Sequence, residues 1–459
     1  GTAMRKQGQP LQSAPGGCAP GRGLMYGLED RPPLGRQFVY AMQFVIIFMG
    51  SIVLVPVLVA GPLEWDSGQV TCLLQCAIFT GGIATLVQVK GLGPVGARLP
   101  ILLGTTFVIV TPLINITKSY GYDAFLGAVI AGGLLYALFG CLGLGVLRRI
   151  FSGAVSGAVI VTIALTLAPS CADMMAGGSS PAGGVYNAWP NWMLALVTMA
   201  VCMLCHSFSR GFFKTASLFF GLLAGYLLAL GMGYLDFSDV ASAAWFSVPR
   251  PFLYGVSFRL EPILIMVVIY IVTIVEFIGD TTATAMVCAN RLPTDRELRG
   301  GILCDALSSV LSGCFNFAPN ISYSDGIGII GTTRVASRAV VAKSALLIIV
   351  AGLIPKFSAA LYTVPPPVLG GACMFLTGVM LMTGIDVIHT QPRDLRTSVV
   401  VGTALAVGVG FGFSGVLEGA PMIIGTLFSG IPGAALVGGF LNVVLPREQT
   451  HTAIKEKER

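Results

Sequence analysis

The sequence predicts an all-α polytopic membrane protein with about fourteen transmembrane segments, arranged as a 7+7 inverted repeat. Its 459 residues are 55% hydrophobic and only 10% charged, whereas a soluble protein carries about 25% charged residues. Apolar runs long enough to cross about 30 Å of hydrocarbon recur along the chain. Two irregular segments, the third and the tenth, occupy matching places in the two halves. Together these observations indicate the membrane-spanning domain of a transporter rather than a soluble enzyme.

The apolar runs define the predicted spans. A helix that crosses the membrane needs about 20 residues, and shorter runs can cross only if they are combined with irregular backbone. The predicted spans are 37–60, 69–89, 99–113, 123–146, 151–168, 190–206, 211–233, 260–287, 300–317, 322–338, 340–361, 366–385, 397–415 and 421–445.

Lysine and arginine fall mainly in alternate loops between these spans. Of the 27 basic residues, 23 lie on one side, and the other side holds Lys118, Arg250, Arg259 and Lys356. Positively charged loops stay in the cytoplasm, so we expect both termini to be cytoplasmic in a multi-pass protein of the cell membrane, the bacterial inner membrane. We expect residues 1–27 to be disordered and 447–459 to form a cytoplasmic tail. The basic residues are dispersed over many loops, so nucleic acid is not an expected partner.

Two segments are too short and irregular to cross as ordinary helices: residues 97–113 and 317–338. Each begins with an extended, proline-marked stretch, reaches a glycine or polar break, and continues as an apolar helix. The breaks at Thr105 and Asp325 are 220 residues apart. Halves of seven spans must lie in opposite senses across the membrane. Inverted repeats with broken segments at matching positions are typical of secondary transporters, whose binding site lies near the midplane.

Four carboxylates lie within the predicted spans: Glu276, Asp280, Asp305 and Asp325. A charged side chain at the bilayer centre costs about 2.5–3.5 kcal/mol, so such groups usually bind or move something. Glu276 and Asp280 are four residues apart and share one helical face. Asp325 opens a half-helix whose dipole stabilises a negative charge, whereas apolar neighbours of Glu276 should favour its protonated form near neutral pH. This combination predicts proton-coupled binding of a neutral molecule rich in N–H donors.

Some of these residues also have structural explanations, and the spans lack the features of several other classes of protein. For Asp280 and Asp305, hydrogen bonding between packed helices is an equal alternative to a functional role. The three histidines lie near span ends or in the tail and are not expected to carry the proton. The spans contain neither a nucleophile–base pair nor a metal-ligand cluster nor a pore-length ring of charges. We therefore expect no enzyme, no channel, no metal and no cofactor, with H⁺ as the coupling ion.

At three places the sequence resembles the nucleobase/ascorbate transporter family, which includes purine, xanthine and uracil permeases. APNISYSDGIGIIGTTRVASR (residues 318–338) is similar to the family's tenth-segment signature, VEFIGDTTATA to its eighth-segment motif, and GTTF to its third-segment motif. The resemblance covers about residues 28–445. It implies that Glu276 and Asp325 hold the edge of a base, with Phe107 beside the ring. Further substrate contacts are expected from Thr106, Ser324 and Gly326, and proton coupling from Glu276, Asp280 and Asp305.

The resemblance also implies two domains and a dimer. Residues 28–150 and 259–363 would form a core domain that moves against a gate domain of residues 151–258 and 364–446. A homodimer would form through the gate domain, within the lipid bilayer.

Departures from the family pattern bear on the substrate. Gln43 is followed by Phe44, where many members have Gln-His. Uracil carriers resemble the chain in having an acid at the position of Asp325, whereas xanthine carriers have Gln there. Asp280 and Asp305 instead resemble the xanthine and purine branch, which favours a purine base of the hypoxanthine, guanine or xanthine class. A uracil:proton symporter is the alternative. An anion exchanger of the sulfate-permease type is disfavoured because an acid at the half-helix start would repel its substrate.

Overall fold

A computed structural model of the chain describes residues 24–178, 185–323, 325–417, 419–428 and 430–446. The predicted disorder over residues 1–27 and the predicted tail over 447–459 fall largely or wholly outside these ranges. The first half contains α1 (Leu34–Ile52), α2 (Leu54–Ala60), α3 (Ser67–Lys90), β1 (Leu102–Thr105), a 3₁₀ turn (Phe107–Ile109), α4 (Val110–Tyr120), α5 (Tyr122–Ile150), α6 (Gly153–Met175), α7 (Trp189–Phe208), α8 (Phe212–Thr215), α9 (Ser217–Gly231) and α10 (Ser238–Ser242).

The second half has a similar order of elements, with its own short strand. It contains α11 (Leu260–Ala289), α12 (Asp295–Cys314), β2 (Asn320–Tyr323), α13 (Asp325–Thr333), α14 (Arg338–Gly352), α15 (Pro355–Tyr362), α16 (Pro366–His389), α17 (Leu395–Ser414), α18 (Met422–Phe428) and α19 (Gly430–Val444).

The all-α membrane class is confirmed. In the described residues, eight helices are long and apolar enough to cross a membrane, or nine if one sharply bent pair counts as a span. That pair is α14 and α15, which meet at 87° within the predicted span 340–361. The bend falls where Pro355 begins α15, because proline cannot continue the hydrogen-bonding pattern of the helix before it. The number fourteen stays a prediction.

Some helix ends differ from the predicted spans for a local reason. Helix α12 begins at Asp295 rather than at residue 300, because Thr294 and Glu297 form a capping box at its start. Such a box satisfies backbone N–H groups that the first turn leaves unpaired. Apolar length alone does not detect this polar turn. Helix α3 likewise starts at a capping box, formed by Asp66 and Gln69.

The helices pack in two sets. In one set, α3 packs against α14, α5 packs against α11 and α12, and α1 packs against α14. In the other, α6 packs against α16, α17 and α19, and α7 packs against α9 and α16. Helices α6 and α16 approach closely at Gly157, where an added Cβ would lie 3.0 Å from the Gly384 carbonyl oxygen. The division into a core domain and a gate domain that move relative to each other stays a prediction.

The two short strands pair with each other. Strands β1 and β2 are antiparallel, with Leu102 opposite Tyr323 and Thr105 opposite Asn320. They lie in the predicted third and tenth segments, so the expectation of extended backbone in these two segments is confirmed. Each strand leads into a short helix, α4 after β1 and α13 after β2.

Candidate substrate-binding site

The ribbon of β1 and β2 is buried, and hydroxyl groups on neighbouring helices satisfy its outer edges. On the β1 side, the Leu103 N–H donates to Thr85 Oγ1 of α3 at 2.9 Å. On the β2 side, Ser309 of α12 donates to the Asn320 carbonyl at 3.0 Å. Lipid offers no hydrogen bonds, so extended backbone inside the membrane requires such partners. The ribbon is therefore built into the protein interior rather than exposed to lipid.

Tyr323 fixes the geometry of one face of the ribbon. Its hydroxyl donates to the Thr105 carbonyl at 2.9 Å, and its ring covers Gly104, where an added Cβ would lie 2.5 Å from Tyr323 Cζ. The Phe48 ring lies beyond, with its centroid 6.0 Å from that of Tyr323. Glycine at position 104 is thus required by the close approach of an aromatic ring.

The opposite face of the ribbon is polar and points toward α11. Alternate residues of a strand share a face, so Asn320 and Ser322 project together, with Thr105 opposite Asn320. Ser322 donates to Asp280 Oδ2 at 2.9 Å. Among the described residues, Thr105 Oγ1 and the Asn320 amide atoms are buried without a hydrogen-bond partner. Polar atoms of this kind usually have a partner, so this face is a candidate ligand contact.

Glu276 and Asp280 lie one turn apart on α11, which packs against both β2 and α13. Glu276 Oε2 is buried and has no hydrogen-bond partner among the described residues. Burying an unpaired carboxylate is costly, so such a group is normally protonated or paired when the site is occupied. Glu276 is therefore a candidate ligand contact.

Asp305 lies behind these residues on α12 and is 0% exposed. It is within electrostatic range of Asp280 and Glu276. Among the described residues, neither carboxylate oxygen has a hydrogen bond of normal geometry, although the nearby Ser322 backbone interacts with the carboxylate. The structure therefore brings three of the four predicted acids, Glu276, Asp280 and Asp305, into one cluster, in which Asp305 is fully buried and the other two are partly buried.

The two half-helices start at opposite ends of the ribbon. Thr106 is buried, and its Oγ1 accepts a hydrogen bond from the Val108 N–H at 3.1 Å, which caps the turn begun by the partly buried Phe107. Asp325 is the first residue of α13, which places it at the other end. Ser324 lies outside the described residues, and so does the side chain of Asp325.

Gly326 follows Asp325 in the first turn of α13 and is buried. An added Cβ there would meet its nearest neighbours, Leu102 and the Pro100 carbonyl, at 3.9 Å. This is ordinary van der Waals contact, so a methyl group at position 326 would fit without displacing its neighbours.

The sequence did not predict four residues that build the ribbon and its surroundings, Ser322, Tyr323, Asn320 and Thr85; of these, Ser322 connects the ribbon to an acid. A signal was present in the strand itself, since Asn320 and Ser322 alternate with apolar residues in NISY. Alternation indicates a strand with one polar face. The partner of that face, α11, became evident only from the tertiary structure.

Comparison with known proteins identifies the family. The profile of a permease family matches residues 35–418. The chain belongs to this xanthine/uracil permease family. It is 32% identical over 446 residues to the uric acid permease PucJ of Bacillus subtilis, covering 92% of this chain and 98% of that protein. It is 31% identical over 448 residues to the xanthine permease XanP of Escherichia coli, covering 93% and 95%. The protein is thus a nucleobase permease and not an enzyme.

Solved structures show the same fold at low sequence identity. The permease superposes on the murine anion transporter Slc26a9 in its inward-facing state with a TM-score of 0.63 at 12% identity, covering 91% of this chain and 69% of that one. It superposes on the transmembrane domain of the cyanobacterial bicarbonate transporter BicA with a TM-score of 0.55 at 15% identity, covering 91% and 100%. At these identities the likeness concerns the fold alone.

Proposed function

We propose that this permease imports a purine base, of the hypoxanthine, guanine or xanthine class, together with a proton. The observation that carries the proposal is the acidic cluster beside the ribbon, in which the Oε2 atom of Glu276 is buried and unpaired among the described residues. Purines present N–H donors at their edges, which suit carboxylate acceptors. The named relatives carry uric acid and xanthine, both oxidised purines.

In the proposed bound state, the base lies between the starts of the two half-helices. Four residues of antiparallel strand extend about 10 Å between the first and the last Cα, so the half-helix starts are separated by about this length. Glu276 and Asp325 accept hydrogen bonds from the N–H edge, and Phe107 packs against the ring. Thr106, Ser324 and Gly326 complete the site. Glycine at position 326 leaves the base more room than a larger side chain there would, which favours a bicyclic purine over the smaller uracil.

The position of Glu276 supports proton coupling. A proton on this carboxyl removes one negative charge from the acidic cluster as the base enters, which lowers the cost of moving the loaded site across the low-dielectric barrier. Asp280 and Asp305 extend the cluster away from the base and are proposed to share the proton. Release on the cytoplasmic side follows when the activities of base and proton are lower there.

The proposed movement is alternating access, with the core helices and the ribbon moving against the gate helices. The separate packing of α3, α5, α11, α12 and α14 from α6, α7, α16 and α17 supports it. Where the two sets meet at the start of α11, Glu261 accepts hydrogen bonds from the Tyr120 hydroxyl and from the Ile423 N–H. A movement between the sets would break the bond to Ile423. We also propose cytoplasmic termini, and a homodimer formed through the gate helices.

The test is ligand-induced thermal stabilisation of the purified full chain. A ligand stabilises a protein in proportion to the logarithm of its concentration over its Kd, so a panel ranks substrates directly. Hypoxanthine, guanine, xanthine, uric acid, uracil and sulfate would be compared at pH 6 and about pH 8. Stabilisation by a purine, stronger at the lower pH, is expected. Stabilisation by uracil alone or by sulfate alone would contradict the proposed substrate, and equal stabilisation at both pH values would contradict the proton.

A further inference from the structure

The chain ahead of α1 pairs with the chain that follows the half-helix α13. Tyr26 and Val335 form a parallel β-bridge. The Met25 and Tyr26 N–H groups both donate to the Arg334 carbonyl, at 2.9 and 3.3 Å, and the Ala336 N–H donates to the Tyr26 carbonyl at 2.9 Å. Residues 25–30, called here the pre-span strand, thus pair with the end of the broken tenth segment through one bridge at Tyr26 and then turn at residues 28–29.

Further contacts extend this pairing toward α14. The Arg338 N–H donates to the Leu28 carbonyl at 3.1 Å, and the Ser337 hydroxyl donates to the Asp30 carbonyl at 2.6 Å. The Arg338 guanidinium also forms an ion pair with Glu29. Ser337 is fully buried, so its hydrogen bond to the Asp30 carbonyl is shielded from competing water. The pre-span strand is therefore held along most of its length.

Helix α13 requires support from outside itself. It has nine residues, whereas isolated helices shorter than about 12 residues are marginal even in favourable sequences. Its N-terminal end follows β2, which is fixed by pairing with β1. Its last residue is Thr333, and the next residue, Arg334, has a φ of +58°, which ends the helix; the Arg334 carbonyl then accepts hydrogen bonds from the pre-span strand. The half-helix is thus held at one end by the ribbon and at the other by residues 25–30.

The pre-span strand, which supports α13, is also connected to the first span, α1. The pre-span strand leads through Pro32 and Pro33 into α1, and α1 packs against both α13 and α14. Two consecutive prolines restrict the connecting backbone, so the strand cannot move freely relative to α1. A displacement of α13 along its axis would therefore have to displace the strand or break its hydrogen bonds.

We propose that the pre-span strand is a positioning element of the substrate site, which holds the first turn of α13, with Asp325 and Gly326, at its distance from Glu276. This inference rests on the proposed function, since it assigns the strand a role in binding the base. A nine-residue helix spans about 14 Å, and it is short enough to transmit a shift of its C-terminal end to its N-terminal end. Loss of the strand pairing then weakens binding without removing any residue that contacts the base.

The test is Tyr26→Pro in the full-length chain. Proline removes the Tyr26 N–H, one of the two donors to the Arg334 carbonyl, and its ring restricts the backbone at the bridge. The matched control is Leu34→Pro, since residue 34 is the exposed first residue of α1, a position that tolerates proline well. Both variants place one proline in the same entry to α1, but only the first disturbs the bridge.

Two measurements separate the possible outcomes. For Tyr26→Pro, the KM for uptake of the preferred base should rise about three- to tenfold, the size of one lost hydrogen bond, with Vmax nearly unchanged. Amide hydrogen exchange should also become faster in residues 326–333 but not in α3. Leu34→Pro should change neither quantity. Unaltered exchange and KM in Tyr26→Pro would overturn the proposal, and so would a loss of Vmax alone.

The exchange measurement does not depend on the substrate. If no base is transported by the unmodified chain, the proposed function fails, while faster exchange in α13 still shows that the strand holds the half-helix. If a purine is transported and exchange in α13 is unaltered by Tyr26→Pro, the positioning role alone fails.

Discussion

Ser322 Oγ donates a hydrogen bond to Asp280 Oδ2 at 2.9 Å, which joins an acid of α11 to the strand that leads into the half-helix α13. Asp280 lies one turn from Glu276 on the same helix. The bond thus crosses from α11 to the ribbon. In the proposed cycle, a change of protonation in the acidic cluster would reach the segment that starts with Asp325 through this contact.

Replacement of Ser322 by Ala should weaken this link. We expect uptake of the preferred base to fall about three- to tenfold, since one hydrogen bond to a charged group is lost, and the pH dependence of uptake to become shallower. Uptake in vesicles between pH 6 and 8 measures both effects. The matched control is Ser308→Ala, whose hydroxyl only donates to the Asp305 carbonyl within α12. A full pH dependence in Ser322→Ala would contradict this role.

Gly104→Ala and Gly326→Ala should differ sharply. At position 104 the new methyl group would lie 2.5 Å from Tyr323 Cζ, whereas at position 326 its nearest neighbours lie at 3.9 Å. We expect Gly104→Ala to lower the free energy of unfolding by about 1–3 kcal/mol because the Tyr323 ring must move. Gly326→Ala should keep its stability and instead reduce affinity for the larger bases. Thermal unfolding with and without ligand measures both, and equal stability losses would contradict the packing argument.

Glu276→Gln imitates a permanently protonated carboxyl. If Glu276 carries the coupled proton, the variant still binds and exchanges the base but no longer concentrates it. One charge moved through 100 mV supplies about 2.3 kcal/mol, or roughly fifty-fold accumulation, and this factor should be lost. Accumulation in energised vesicles is compared with exchange of labelled base at equilibrium. Undiminished accumulation would exclude Glu276 as the coupling group.

Asp325→Asn tests the other proposed acceptor. The amide retains the size of the side chain but replaces one acceptor oxygen with a donor, so it opposes an N–H of the base. We expect the Kd of the preferred purine to rise at least about tenfold, the cost of a charge-assisted hydrogen bond, with little change in thermal stability without ligand. Isothermal titration of the purified variant measures the affinity. An unchanged Kd would remove Asp325 from the site.

A pH effect on stability is expected at the start of α12, ahead of the predicted span. The Arg291 guanidinium donates two hydrogen bonds to the Glu297 carboxylate, at 2.8 and 2.7 Å, and the Thr294 N–H donates another. These contacts, those from Arg291 above all, hold the pKa of Glu297 below its ordinary value. A lowered pKa means that this stabilisation is present above the pKa of the unfolded chain, about 4.3, and is lost as the pH falls through the folded value.

Glu297→Gln should therefore lower the thermal stability at pH 7, by at most about 1 kcal/mol because the pair is partly exposed. The difference from the unmodified chain should shrink below about pH 4, where Glu297 itself becomes protonated. Melting curves at both pH values measure this. An equal difference in melting temperature between Glu297→Gln and the unmodified chain at both pH values would contradict the stabilising role of the Glu297 carboxylate.

Much of the architecture followed from the sequence because membrane segments have a direct signature. The long apolar runs at α3, α11 and α16 were predicted within a few residues of their observed ends. The two broken segments were predicted from proline, glycine and polar breaks, and both contain the expected strand. Helix ends set by capping, as at Thr294, and the bend before Pro355 were missed because they depend on hydrogen bonds and not on apolar length.

The sequence by itself determined the class of protein, the family and the identity of the acidic residues, because a carboxylate in an apolar run is costly wherever the run folds. Only the tertiary structure decided which groups meet: Ser322 with Asp280, the Tyr323 ring with Gly104, and Tyr26 with the end of α13. These partners lie between about 40 and 300 residues apart in the chain. Their contacts depend on how buried strand edges obtain hydrogen bonds inside a membrane, and no local pattern specifies which distant residue supplies them.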